Sequence, residues 1–206
     1  LKNWWDENAT SVVVTVVLTL GGVFGYQAWE NNVLGEGEAA SALYEDLVQA
    51  SAGVTPGSED PLMMSTATSL SKTLKTDHPG TAYAIFAALH MAKLNNGAGK
   101  LDDAISELQW ALEQGTDSNV ELIIQMRLAR LHLANGDPDA ALALLSDVRA
   151  TGGQLSSVEE IKGDIYQAMG DLQKAREAYQ LAIENTDEKI SKPLLGIKLA
   201  DIPLVD

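Results

Sequence analysis

The sequence predicts an all-α chain: a single N-terminal transmembrane helix followed by a helical-repeat (α-solenoid) domain. Three observations carry this. A charge-free apolar segment runs from Asn8 to Trp29. Two later segments share one pattern of small, aromatic and glycine residues at a spacing of 34. Strand signals are absent outside the apolar segment, whose valine run raises strand propensity without any alternation of polar residues.

The apolar segment comes first. No charge lies between Glu7 and Glu30. As a helix, that stretch would be roughly 33 Å long, enough for a hydrocarbon core of about 30 Å. Nine of the residues in Val12–Phe24 are Val, Leu or Phe, a composition worth roughly −3 to −5 kcal/mol of insertion. Trp4 and Trp5 on one side, and Tyr26 and Trp29 on the other, stand where interface aromatics belong. A cleaved signal peptide is the competing reading. The run is longer than a usual signal core and no small-x-small cleavage site follows it closely, which favours a retained anchor. Lys2 precedes the helix, whereas no basic residue follows it before Lys72. The positive-inside rule then puts the amino terminus in the cytoplasm and the repeat domain across the membrane. Gly21 and Gly25 form a G-x-x-x-G, which either permits close approach of a second membrane helix or is ordinary membrane glycine.

The repeat register comes next. Ala129, His132, Gly136, Asp137, Ala141, Leu145 and Val148 form one copy. Gly163, Tyr166, Gly170, Asp171, Ala175, Tyr179 and Ala182 form the next. This resembles the tetratricopeptide pattern, a helix–turn–helix unit of 34 residues. Alanine or glycine lets the paired helices approach. Gly136 and Gly170 end the first helix where a left-handed residue is needed, and Asp137-Pro138 caps and starts the second. A looser third copy carries Ala92, Gly99, Ala104, Leu108 and Ala111. It is three residues longer than a period, and the excess is expected in the Gly115–Asn119 loop.

The expected organisation is a cytoplasmic flank at 1–8, the transmembrane helix at 9–29 and a tetratricopeptide-like domain at 30–206. Within that domain lie a degenerate pair at 37–76, repeats at about 81–115, 119–150 and 155–186, and a C-terminal cap at 190–202.

The net charge of −15 opposes nucleic-acid and anionic-lipid binding, which need clustered Lys and Arg. The absence of cysteine removes disulfides, thiolate metal sites and a thiol nucleophile. None of His78, His90 and His132 stands at i, i+4 from another, so no metal site and no cofactor is expected. His78, before Pro79, reads as a helix start, and His132 as a packed position. Asn96-Gly97-Ala98-Gly99-Lys100 fails as a phosphate loop because Leu101 replaces the needed Ser or Thr. No serine sits in a nucleophile elbow, so the chain reads as a non-enzyme.

Mapping the register onto a concave groove places His90, Lys93, Met126, Arg127, Arg130, Glu160 and Asp164 along it. A basic cluster in an acidic chain could hold a carboxylate of a protein partner. The alternative is that Arg127 and Arg130 pair with Glu160 and Asp164 on the next repeat.

The whole arrangement resembles a known family. Its membrane helix ends in Gly25-Tyr26-Gln27-Ala28-Trp29-Glu30, and the strings Met126-Arg127-Leu128-Ala129-Arg130 and Gly170-Asp171-Leu172-Gln173-Lys174-Ala175-Arg176 follow. These are similar to segments of the ancillary SecYEG translocon subunit (YfgM-like) family. The resemblance implies a single-pass inner-membrane protein with a periplasmic repeat domain and no catalytic residues. It also implies two partners: the SecYEG channel and a membrane-anchored periplasmic chaperone of the prolyl-isomerase type, PpiD. On that footing the chain is a non-enzymatic adaptor linking exported proteins to periplasmic chaperones. The alternatives are a scaffold or assembly factor for another envelope complex, or an enzyme hidden in an atypical repeat fold.

Overall fold

The computed structural model describes residues 2–55, 57, 60–186 and 193–203, with the side chains of 2–7, 9, 11–13 and 32 outside that description. Among the described residues there are nine helices: α1 (Lys2–Ala50), α2 (Pro61–Asp77), α3 (Ala82–Gly97), α4 (Leu101–Glu113), α5 (Ser118–Ala134), α6 (Pro138–Leu145), α7 (Gly152–Met169), α8 (Leu172–Glu184) and α9 (Pro193–Ala200).

Each helix packs mainly on its sequence neighbours, and α1 also meets α3 while α5 meets α7. The core is therefore a row of four clusters, as in a solenoid. Ala40 and Leu47 of α1 join Met64 and Leu74 of α2 and Ala87 and Met91 of α3. Ala88 and Ala92 of α3 face Leu108 of α4 and Leu128 of α5. Leu122 and Ala129 of α5 pack with Ala141 of α6 and Ile161 and Ile165 of α7. Tyr179 of α8 closes the row with Leu195 and Ile202.

The two turns at Gly136 and Gly170 show how the sequence sets this packing. Both glycines have φ near 80°, a conformation that costs other residues about 1–2 kcal/mol. The amide after each reaches back five residues, Asp137 N–H to His132 O and Asp171 N–H to Tyr166 O, both at 2.9 Å. The same aspartates then cap the next helix, accepting from Ala140 N–H and Lys174 N–H. Where paired helices cross, side chains vanish. A Cβ added to Gly163 would stand 2.4 Å from the Tyr179 ring.

Several expectations are corrected. The apolar segment and the first helix of the degenerate pair are one continuous helix, α1, of 49 residues. No proline interrupts Lys2–Ala50. Gly35 and Gly37 cost about 1 kcal/mol each, too little to end a helix by themselves. The three extra residues of the looser copy are carried by a helix, since α4 has 13 residues against 8 in α6. Val148, the last register position of its copy, lies past the end of α6 and packs on the third cluster. His78 ends α2 instead of starting α3: its N–H bonds Leu74 O at 3.0 Å, and Thr81 caps α3. Pro79 follows the C-cap, where it cannot continue the helix.

Among the described residues no helix is long and apolar enough to cross a membrane. The span expected over 9–29 takes in Ala9, Ser11, Val12 and Val13, whose side chains lie outside the described residues. From Val14 to Trp29 the side chains of α1 are exposed, and Gly21 and Gly25 have no heavy atom within 4 Å of an added Cβ.

Two glycine substitutions separate close packing from helix propensity. Gly163→Ala should lose about 1–2 kcal/mol in chemical denaturation, because overpacking against the buried Tyr179 ring outweighs the propensity gain. Gly196→Ala, with open space at its Cβ, should be neutral or gain up to about 1 kcal/mol.

Candidate functional site

One concavity draws on four helices. α3 presents Phe86, Leu89, His90, Lys93 and Asn96 on a single stripe. The opposite stripe, Ala84, Ala87, Ala88 and Met91, is buried in the core. α5 contributes Arg127, Arg130, Leu131 and Ala134, while Tyr44 of α1 and Leu108 of α4 complete the principal lining of a cavity of about 560 Å³. Tyr44, Tyr83 and Phe86 form a cluster with centroids 6.0–6.4 Å apart, which fixes the aromatic wall. Phe86 nonetheless stays 40% exposed.

His90 ties this wall to the end of α1. Its Nε2 lies 2.6 Å from Ser51 Oγ. The Ser51 hydroxyl also reaches Leu47 O at 2.9 Å and Val48 O at 3.2 Å; when its one hydrogen goes to either carbonyl, the imidazole N–H is the donor to Ser51. Burial, and then the Lys93 ammonium, hold the His90 pKa below its ordinary 6.5.

Of the residues mapped to a groove, the structure brings His90, Lys93, Arg127 and Arg130 together. It does not bring Met126, Glu160 or Asp164 to them. Met126 lies on another face of α5 and packs against the third core cluster. Glu160 and Asp164 hold Lys198 of α9 at 3.1 and 2.8 Å. Asp164 also accepts from the Tyr179 hydroxyl at 2.7 Å. The pairing of Arg127 and Arg130 with these carboxylates therefore does not form, because the carboxylates look toward α8 and α9. Burial opposes the Lys198 charge, but Asp164 and Glu160 outweigh it and raise its pKa. Burial, with the Asp164 hydrogen bond, pushes the Tyr179 phenol far above its usual value.

Sequence reasoning missed Tyr44, Phe86 and Lys198. Phe86 stands four residues before His90 and seven before Lys93, a helical spacing that marks it as a neighbour. Tyr44 and Lys198 carry no such signal, since each arrives from a distant helix. Among the described residues no group of His, Asp and Glu is arranged to hold a metal ion.

The lowered His90 pKa has a defined sign. The unfolded chain takes up this proton first, so stability rises with pH across the window just below 6.5. Denaturation midpoints between about pH 5 and 7 should show this rise, and His90→Gln, which keeps a donor for Ser51, should flatten it.

Comparison with known proteins agrees with this architecture. Residues 2–203 match the family model described as a tetratricopeptide repeat-like domain. The chain is 29% identical over 98% of its length to a protein of Aggregatibacter actinomycetemcomitans named ancillary SecYEG translocon subunit, covering 94% of that relative. It is 24% identical over 99% of its length to the protein of that name in Escherichia coli K12, and 28% over 98% to the one in Haemophilus influenzae, covering 94% of each. The resemblance read from the sequence thus extends over nearly the whole chain. A solved structure of nearly identical tetratricopeptide-like repeats of a kinesin light chain from Podosopora anserina superposes with a TM-score of 0.54 at 18% identity. That match covers 82% of this chain and 84% of the other, and it shows the fold alone. Neither the family nor these relatives indicate an enzyme. With positive-φ glycine turns, small residues at helix crossings and a family match over almost its full length, the chain belongs to the tetratricopeptide repeat-like domain family.

Proposed function

We propose that this chain is a non-enzymatic, membrane-anchored adaptor at the SecYEG translocon, linking exported proteins to periplasmic chaperones through contacts on its repeat domain. The observation that carries this reading is α1. One unbroken helix has exposed apolar residues from Val14 to Trp29 at one end, and buries Ala40 and Leu47 in the repeat core at the other. An exposed apolar helix of this kind is costly in water and favourable in a bilayer. In this proposal residues 9–29 span the inner membrane, the amino terminus is cytoplasmic and the repeat domain is periplasmic. The shared name of the full-length relatives supports SecYEG as the partner complex. The resemblance drawn from the sequence adds a chaperone of the PpiD type. Gly21 and Gly25 are the proposed contact for a neighbouring membrane helix. The face formed by His90, Lys93, Arg127 and Arg130 is the proposed docking site, with tethering raising the local concentration of partners. The division into a cytoplasmic flank, a span and successive repeats belongs to the same proposal.

Crosslinking and pull-down from detergent-solubilised membranes, with the full-length chain as bait, tests this. Recovery of translocon subunits with a periplasmic chaperone is the expected result. Recovery of a different envelope complex without translocon would overturn it in favour of a scaffold elsewhere in the envelope. Arg127→Glu with Arg130→Glu should release the docked partner, by about tenfold or more in recovery, with helicity unchanged.

A further inference from the structure

The chain has 29 acidic and 14 basic side chains, so carboxylates compete for cations nearly everywhere. Lys75, Lys162, Lys174 and Lys198 each hold a carboxylate at 2.7–3.1 Å. Lys93, Arg127 and Arg130 line the cavity between α1, α3 and α5, and none of its lining residues is acidic. Among the described residues these three cations make no hydrogen bond or ion pair. Among the described residues, an acidic chain has therefore set three cations and a histidine around a space that no carboxylate lines. The same cavity is lined by Leu89, Leu108 and Leu131 and by the aromatic pair Tyr44 and Phe86.

Resting on the adaptor reading, we propose that this cavity binds a short acidic segment of a protein partner. One large apolar side chain enters against Tyr44, Phe86 and Leu89, and flanking carboxylates meet Lys93, Arg127 and Arg130. Guanidinium forks suit carboxylates, which they can grip with two parallel hydrogen bonds. The apolar lining has no use for a simple anion. A volume of about 560 Å³ accommodates a few side chains rather than a folded element. A nucleic acid is disfavoured because its long run of phosphates would meet the rest of a chain of net charge −15. A short segment feels mainly the local positive potential, since screening cuts off more distant charges beyond about 8–10 Å.

The test is fluorescence anisotropy with the full-length protein in nonionic detergent. The probe is an end-blocked, labelled peptide with a Leu-Phe centre and two acidic residues on each side. Its counterpart carries amides in place of the carboxylates. The acidic peptide should bind about tenfold or more tightly than the amide peptide, and salt should erode the difference. Arg127→Glu with Arg130→Glu should abolish the preference, while Phe86→Ala should weaken both peptides. If the double variant loses helicity, Lys93→Glu takes its place in the same measurement. Equal affinity for the two peptides, saturable binding of neither, or a preference that survives charge reversal in a folded variant would overturn the inference. These outcomes are separable from the adaptor's own test. Translocon recovered by a wild-type chain that does not discriminate the peptides would leave the adaptor standing with another docking surface. Discrimination without translocon recovery would do the reverse.

Discussion

Close approach of paired helices is the constraint on which the rest of this structure depends. Two helices joined by a turn of a few residues approach most closely where the crossing points carry almost no side chain. Gly163 under the Tyr179 ring is the extreme case, and Ala129 with Ala141 in the third cluster is the milder one. The turn itself has to reverse direction at once, which the positive φ of Gly136 and Gly170 permits. Once these positions are fixed, the helices have little choice of crossing geometry.

A row of small cores follows from that. No cluster draws on the whole chain, and α3 serves two at once: Ala87 and Met91 face α1 and α2, while Ala88 and Ala92 face α4 and α5. A helix buried on both sides has only one stripe left for solvent. That stripe is the one carrying Phe86, His90 and Lys93, so the fold itself selects which residues of α3 can meet a ligand. The end of α1 is drawn into the same place through Tyr44 and the Ser51–His90 hydrogen bond.

Charge is organised in layers as well. Lys75 of α2 grips both oxygens of Glu107 on α4 and lies over the Trp110 ring, so one cation links two core clusters. Lys198 of α9 does the same for α7 through Glu160 and Asp164. Such pairs, partly shielded from water, are stronger than isolated surface pairs, which are worth about 0–1 kcal/mol. Lys93, Arg127 and Arg130 stand apart from these pairs, lining a cavity whose walls, among the described residues, carry no carboxylate.

The sequence by itself determined the repeat turns at Gly136 and Gly170, the capping after them and the positions of close approach. These depend on residues near one another in the chain: Gly136 before Asp137-Pro138, Gly170 before Asp171, and alanines at fixed offsets. It also marked His90, Lys93, Arg127 and Arg130, because a helical stripe can be read from spacing alone. Tertiary structure decided which of the mapped residues share a space. Met126 and Arg127 are adjacent in sequence, but about 100° of helical rotation sets one against the third core cluster and the other at the cavity. Lys198 takes Glu160 and Asp164 away from the arginines across more than thirty residues of chain. The continuity of α1 across the apolar segment and the first helix of the degenerate pair likewise showed only in the folded chain. Local patterns fix what a segment can become, whereas a binding face arises where distant segments meet. Only the folded chain sets those meetings.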